Sequence, residues 1–166
     1  MATRGVVTTL DFYIEQRAYG PTTAPLVSYQ NHFEGTRTIT NPFYGSPVTY
    51  SHNFYTITPY RIARNEASNG MSITFAATAT NVALVETAMT NRYSVDIATY
   101  RWTTAAGIDN PSAYALFAIC FGHCYKASSD FSTITLDVRL YADATNADLP
   151  WQRVPWTIVG PLSARK

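Results

Sequence analysis

Two cysteines and a histidine fall close together in the run ICFGHCY: Cys120, His123 and Cys124. These are the residue types that bind zinc. A structural zinc site takes four ligands, usually as paired C-x₂₋₄-C elements or with two His. His32 and His52 lie far along the chain, so a complete site would need one of them or a carboxylate. A strand would turn the adjacent His123 and Cys124 to opposite faces, which argues against a nucleophile–base dyad. Three residues separate the two cysteines, and a straight strand cannot bend to bridge them. The expectation is two half-buried thiols on a strand, with no metal, no cofactor and no disulfide.

Other chemistry is equally thin. A glycosidase needs two opposed carboxylates. Glu15, Glu34, Glu66, Glu86 and several Asp are present, none marked by its context, and each reads as a solvated side chain. There is no GxSxG elbow. Gly5, Gly20, Gly35, Gly45 and Gly70 stand singly at turns, so no glycine-rich loop cradles a phosphate. The chain is expected not to be an enzyme.

Composition points to a different kind of object. Charged residues are 14% of the 166 positions, against roughly 25% in ordinary soluble domains. Aromatics are also 14%, with 12 Tyr and 8 Phe. Interface cores lose charge and gain aromatics, so this surface suits being covered. The net charge of +1 leaves no electrostatic footprint for nucleic acid. No apolar run reaches the length of about 18 residues that a spanning helix needs. The N-terminus lacks the basic and apolar regions of a signal peptide, so assembly in a cytosol is expected.

The elements that would carry these residues read as mainly β (α+β): an antiparallel β-barrel or sandwich with one short helix. Residues 1–141 form a single β-rich domain with an N-terminal arm, and residues 142–166 an extended Pro/Trp-containing tail. In Thr8–Arg17, Leu10, Phe12 and Ile14 share one strand face while Asp11, Tyr13 and Glu15 take the other. Leu26–Phe33 and Thr36–Thr40 read as strands. Asn41–Ser51, punctuated by Gly and Pro, reads as an irregular loop around Phe43 and Tyr44. Those two aromatics either pack back on the sheet or meet a partner. A strand begins at Phe54–Ile57, and a short one follows at Tyr60–Ala63.

Asn69-Gly70 signals a hairpin turn. Met71, Ile73 and Phe75 then alternate with Ser72, Thr74 and Ala76, the period of a half-buried strand. Thr80 or Asn81 can cap a helix over about 82–92, with Val82, Val85, Ala88 and Met89 on its apolar face. Its other face, Ala83, Thr87 and Thr90, is small and nearly uncharged, and is a candidate subunit contact. Tyr93, Val95 and Ile97 alternate with Ser94, Asp96 and Ala98 towards Trp102. Tyr114–Lys126 is apolar on both faces, so it reads as a central strand or one covered on both sides. It forms a hairpin with Ser132–Tyr141, whose Ile134, Leu136, Val138 and Leu140 point inward. In the tail, Trp151 and Trp156 are costly to leave in water, so docking on the same subunit or a neighbour is expected.

The run from Tyr60 to Trp102, YRIARNEASNGMSITFAATATNVALVETAMTNRYSVDIATYRW, resembles the central part of phage minor tail protein L and related tail-tip proteins of long-tailed phages. The likeness covers about Asn53 to Leu162. It lies in the order of strand, NG connection, apolar strand, short helix and basic-aromatic strand, then a second hairpin and a Pro-rich tail. The resemblance implies a structural protein of the virion tail tip, assembled in the host cytoplasm. It implies a homo-oligomeric ring, a trimer or hexamer, that adapts the distal tail protein to the hub or receptor-binding device. Some members carry a Cys-rich C-terminal domain with an iron–sulfur cluster; the sequence ends at Lys166 without one, and no cluster is expected. A carbohydrate-binding β-sandwich module and a capsid or decoration protein are the alternative readings.

Overall fold

A computed structural model describes residues 4–14, 24–40, 46–58, 70–104 and 113–140. Among these residues nine strands and one helix follow in chain order: β1 (Arg4–Tyr13), β2 (Val27–Gln30), β3 (Thr36–Thr40), β4 (Pro47–His52), β5 (Tyr55–Thr58), β6 (Gly70–Ala76), α1 (Ala79–Thr90), β7 (Ser94–Thr103), β8 (Ala113–Ser129) and β9 (Thr133–Leu140). The fold is mainly β with one helix, as the sequence leads one to expect. The strands form one sheet in the order β3-β4-β2-β1-β7-β8-β9-β6-β5, and the sheet does not close. Every neighbour pair is antiparallel except β2–β4, which is parallel and joined by only two register pairs.

The two ends of the sheet bury opposite faces. On one face, Leu10, Phe12, Val95, Ile97, Ile73, Phe75, Leu136 and Val138 pack beneath α1. β5 is drawn in over this helix-side face, and the Tyr55 hydroxyl donates to the Thr8 carbonyl at 2.6 Å. On the other face, the β3–β4 hairpin brings Ile39 and Tyr50 onto Val7, Ala98, Tyr100 and Trp102. Phe33 and its neighbour His32 stack on Trp102 at the same place, with ring centroids at 5.2 and 5.3 Å. Gly5 lies opposite Trp102 in the ladder, and a Cβ there would meet the indole at 2.3 Å. Each fully buried Leu, Ile or Phe is worth roughly 1.5–3 kcal/mol, so the two cores supply most of the drive to fold.

Local readings hold in several places. Met71, Ile73 and Phe75 face the core from β6, and Ile134, Leu136, Val138 and Leu140 do so from β9. β8 and β9 form the expected antiparallel hairpin. Its turn is fixed by Asp130, whose carboxylate accepts from the amides of Ser132 and Thr133 at 2.8 and 2.6 Å and from both hydroxyls.

Other readings are corrected. The stretch expected to be loop up to Ser51 becomes β4 from Pro47 onward. Proline is tolerated there as the first residue of a strand. The helix starts earlier, at Ala79, and its cap is Thr78, whose side chain accepts from the Asn81 amide at 3.3 Å. Thr80 is exposed in the first turn, and Asn81 is buried. Ile14 does not share the burial of Leu10 and Phe12, whereas Tyr13, read as outward, is buried. Ser94, Asp96 and Ala98 are buried as fully as Val95 and Ile97, because β7 lies between both cores. β8 is an interior strand of the sheet, but it is not covered on both sides: Phe117, Phe121 and Tyr125 are exposed. Tyr60–Ala63, Asn69, Phe43, Tyr44, Trp151 and Trp156 lie outside the described residues.

Candidate functional site

Cys120, His123 and Cys124 all lie on β8, but the strand divides them. Cys120 and Cys124 turn to the helix-side core, while His123 stands on the other face, opposite Ser94 and Arg139 in the ladders. Strand rise sets the two cysteines roughly 13 Å apart, and both are free thiols. Burial pushes both thiols up, that of Cys124 to about 12. Burial holds His123 below its ordinary value, helped by the positive charges of Arg139 and Arg92. Burial thus favours the neutral thiol over the thiolate, which is the reactive and metal-binding form. Among the described residues no three His, Cys, Asp or Glu side chains converge on a point. His32 lies against the rings of Phe33 and Trp102, and His52 meets Phe54 edge-on with centroids at 4.6 Å.

The carboxylates behave differently from the expectation that all are solvated. Glu34 and Glu86 are exposed; Glu15 and Glu66 lie outside the described residues. Asp11 on β1 and Asp96 on β7 are direct cross-strand partners, each only 1% exposed. Asp11 accepts from the Ser28 hydroxyl at 2.5 Å and from the Tyr50 hydroxyl at 2.9 Å. Burial, and then the Asp11 charge, raise Tyr50, Tyr55 and Tyr100 well above the ordinary phenol value. These phenols are therefore fixed as neutral groups around the carboxylate. Paired carboxylates are the equipment of acid–base catalysis, but only where substrate reaches them. Here the β3–β4 hairpin seals them in. The cluster is a polar core that ties β1, β2 and β4 together. Sequence alternation places both Asp on the face opposite Leu10 and Ile97. What it lacks is any sign that a hairpin some 40 residues away covers that face.

The exposed surface carries a second candidate. Ala83, Thr87 and Thr90 stand on the solvent side of α1, as expected, while Leu84, Val85 and Ala88 are buried and Val82 and Met89 half-buried against the core. Thr87 donates its hydroxyl to the Ala83 carbonyl at 2.7 Å, and Thr90 to that of Glu86 at 2.8 Å. With both hydroxyls spent on the helix's own backbone, the side chains present methyl groups outward. The helix's N-terminal end is anchored by Asn81, which donates to the Ala76 carbonyl and accepts from Asn53, both at 2.9 Å. Ala77 in turn donates to Ser132. This chain of bonds holds two exposed rings at one end of the molecule, Phe54 beside Asn53 and Phe131 beside Ser132. Phe54, read from the sequence as the start of a strand, stands just before β5, and Phe131 sits in the turn between β8 and β9.

No helix among the described residues is long and apolar enough to cross a membrane. No protein-family model matches this chain, and no curated protein matches it significantly.

Proposed function

We propose that this chain is a structural subunit of a phage tail tip, working as an adaptor in a homo-oligomeric ring between the distal tail protein and the hub. The observation that carries the reading is the outer face of α1. Ala83, Thr87 and Thr90 are exposed, their polar atoms are satisfied internally, and exposed Phe54 and Phe131 stand at the anchored end of the same helix. A surface of methyls and phenyls with little charge has the composition of an interface core rather than of a free exterior. The β6–α1–β7 run and the β8–β9 hairpin also follow the order of elements on which the likeness to tail-tip proteins rests. Catalysis has no part in this reading, and the Asp11–Asp96 pair is buried.

The test is a substitution on that face. Thr87→Arg should leave the unfolding midpoint and circular dichroism near wild type while the mass in solution falls from a ring to a monomer. Wild-type protein that is a monomer at all concentrations and binds glycans would overturn the adaptor reading. So would antibody labelling of the capsid shell, rather than the tail end, on purified particles.

A further inference from the structure

A closed ring needs two different patches on each copy, one for each neighbour. The outer face of α1 supplies one. The far side of the sheet, on the back of β8 and β9, carries a second. His123 stands there, opposite Arg139 in the ladder. Phe121, two residues earlier on β8, shares its face and is exposed. Tyr125, also exposed, joins them: a Cβ on Gly70 would meet its ring at 3.9 Å, and Gly70 lies opposite Arg139. The β3–β4 hairpin packs on Val7, Ala98, Tyr100 and Trp102 at the other end of this face, and Phe121, Tyr125 and Arg139 stay exposed.

The two patches carry opposite charge. Arg139 and Lys126 are exposed on the back of the sheet, and Arg92 stands close enough for its charge to act on His123. Lys126 lies opposite Asp137, whose carboxylate accepts from the Ser72 hydroxyl at 2.6 Å, and Asp96, opposite Phe121, is buried. Two guanidiniums therefore stand beside two exposed rings, and arginine and aromatic side chains are the ones enriched in protein interfaces. Arg92 has a φ of 51°, at a helix exit where glycine is the ordinary residue. An arginine there bears a backbone cost and projects a charge that glycine would not. On α1 the one charged side chain is Glu86, exposed beside Ala83, Thr87 and Thr90.

α1 packs on the helix side of β8 and β9, so the two patches lie on opposite sides of one copy and can meet only between copies. A contact of α1 with a second α1 would bring two Glu86 carboxylates together, at a repulsive cost, and would close after two copies. We infer that the outer face of α1 in one copy docks on the back of β8 and β9 in the next. Glu86 meets Arg92 and Arg139, while Ala83, Thr87 and Thr90 cover Phe121 and Tyr125. The inference rests on the reading of this chain as a ring subunit, and it names the surface that the α1 face would meet.

Two variants that cannot assemble alone should assemble with each other. Thr87→Arg spoils the α1 face and keeps the back of β8 and β9; Arg139→Glu does the reverse. Each alone should sediment as a monomer. An equimolar mixture should give a dimer with one copy of each, at least about tenfold tighter than the self-association of either variant. A mixture that associates no better than its components overturns the inference. Arg92→Gly is a second arm, since glycine suits the backbone there. Its unfolding midpoint should hold or rise while ring assembly weakens by about tenfold or more. Ring assembly unchanged in Arg92→Gly or in Arg139→Glu, with Thr87→Arg still monomeric, overturns the inference and leaves the ring reading intact. Wild-type protein that is a monomer at all concentrations overturns that reading, and the inference with it.

Discussion

The two faces of the sheet solve the same packing problem with different materials. On the helix side, β1, β6, β7 and β9 contribute aliphatic and aromatic side chains that meet one another directly, and α1 covers them. On the hairpin side, Asp11, Asp96, Gln30, Ser94 and Thr9 are buried along with the apolar residues. The Gln30 side chain accepts from the amides of His32 and Phe33, both at 2.8 Å, and so shapes the turn into β3. The difference is one of directionality. Apolar contact is insensitive to small rotations, whereas a buried carboxylate accepts from particular donors at particular distances. The helix-side core supplies bulk stability. The hairpin-side core fixes how the β3–β4 hairpin seats on β1, where the parallel β2–β4 join of two register pairs is too short to do so.

Breaking the helix side should cost most. Phe75→Ala removes a ring that is 1% exposed, and about 3–5 kcal/mol of stability should be lost in urea unfolding. Tyr50→Phe keeps the ring and deletes only the hydroxyl that donates to Asp11. It should cost about 1–3 kcal/mol, because a buried carboxylate loses a donor. A cost near zero would mean that the hairpin-side core is as undirected as the other. Asn81→Ala, which cuts the link between Asn53 and Ala76, should cost about 1–2 kcal/mol and loosen Asn53 amide protection first.

The mildest test contrasts two aspartates. Asp130 is fully exposed, yet hydrogen bonds from Ser132 and Thr133 lower its pKa to about 2 from an ordinary 3.8. A carboxylate with a depressed folded pKa stabilises the fold above its unfolded value, and that contribution disappears as pH falls through the folded value. The midpoint difference between wild type and Asp130→Ala should therefore be constant above roughly pH 4.5 and shrink between about pH 4 and pH 2. A difference that stays constant down to pH 2 would deny the turn its carboxylate.

These contrasts also explain what was legible in the sequence. Alternation in β6 and β9 was readable because each strand has one buried face. β7 reads the same way, yet Ser94, Asp96 and Ala98 are buried too, because its second face is covered by chain distant in sequence. Periodicity reports what a strand offers, not what later packs on it. β8 differs in the opposite sense. Its apolar run reads as a central strand or one covered on both sides; it is an interior strand of the sheet, yet Phe117 and Phe121 are exposed. The spacing predicts the helix but not its cap: Thr78 caps it rather than Thr80 or Asn81, because Asn81, a good capping residue, here serves the buried link to Asn53. For the contact surface, the exposure of Ala83, Thr87 and Thr90 followed from helical spacing. The inward hydroxyls that make the face apolar did not, because a threonine side chain shows its rotamer only in three dimensions.

β1 leaves the ribosome well before its long partner β7, with which it pairs from Arg4 opposite Thr103 to Tyr13 opposite Ser94. At synthesis rates of about 5–20 residues per second, β1 waits on the order of 5–20 s for the residues that will cover it. During that interval VVTTLDFY is a bare β-forming stretch with one charge in it, Asp11. The carboxylate that later sits sealed beneath Tyr50 is thus also the solubilising gatekeeper of the nascent chain. Replacing it with a well-packed apolar residue would trade a polar core for a segment prone to aggregate before its partner strand exists.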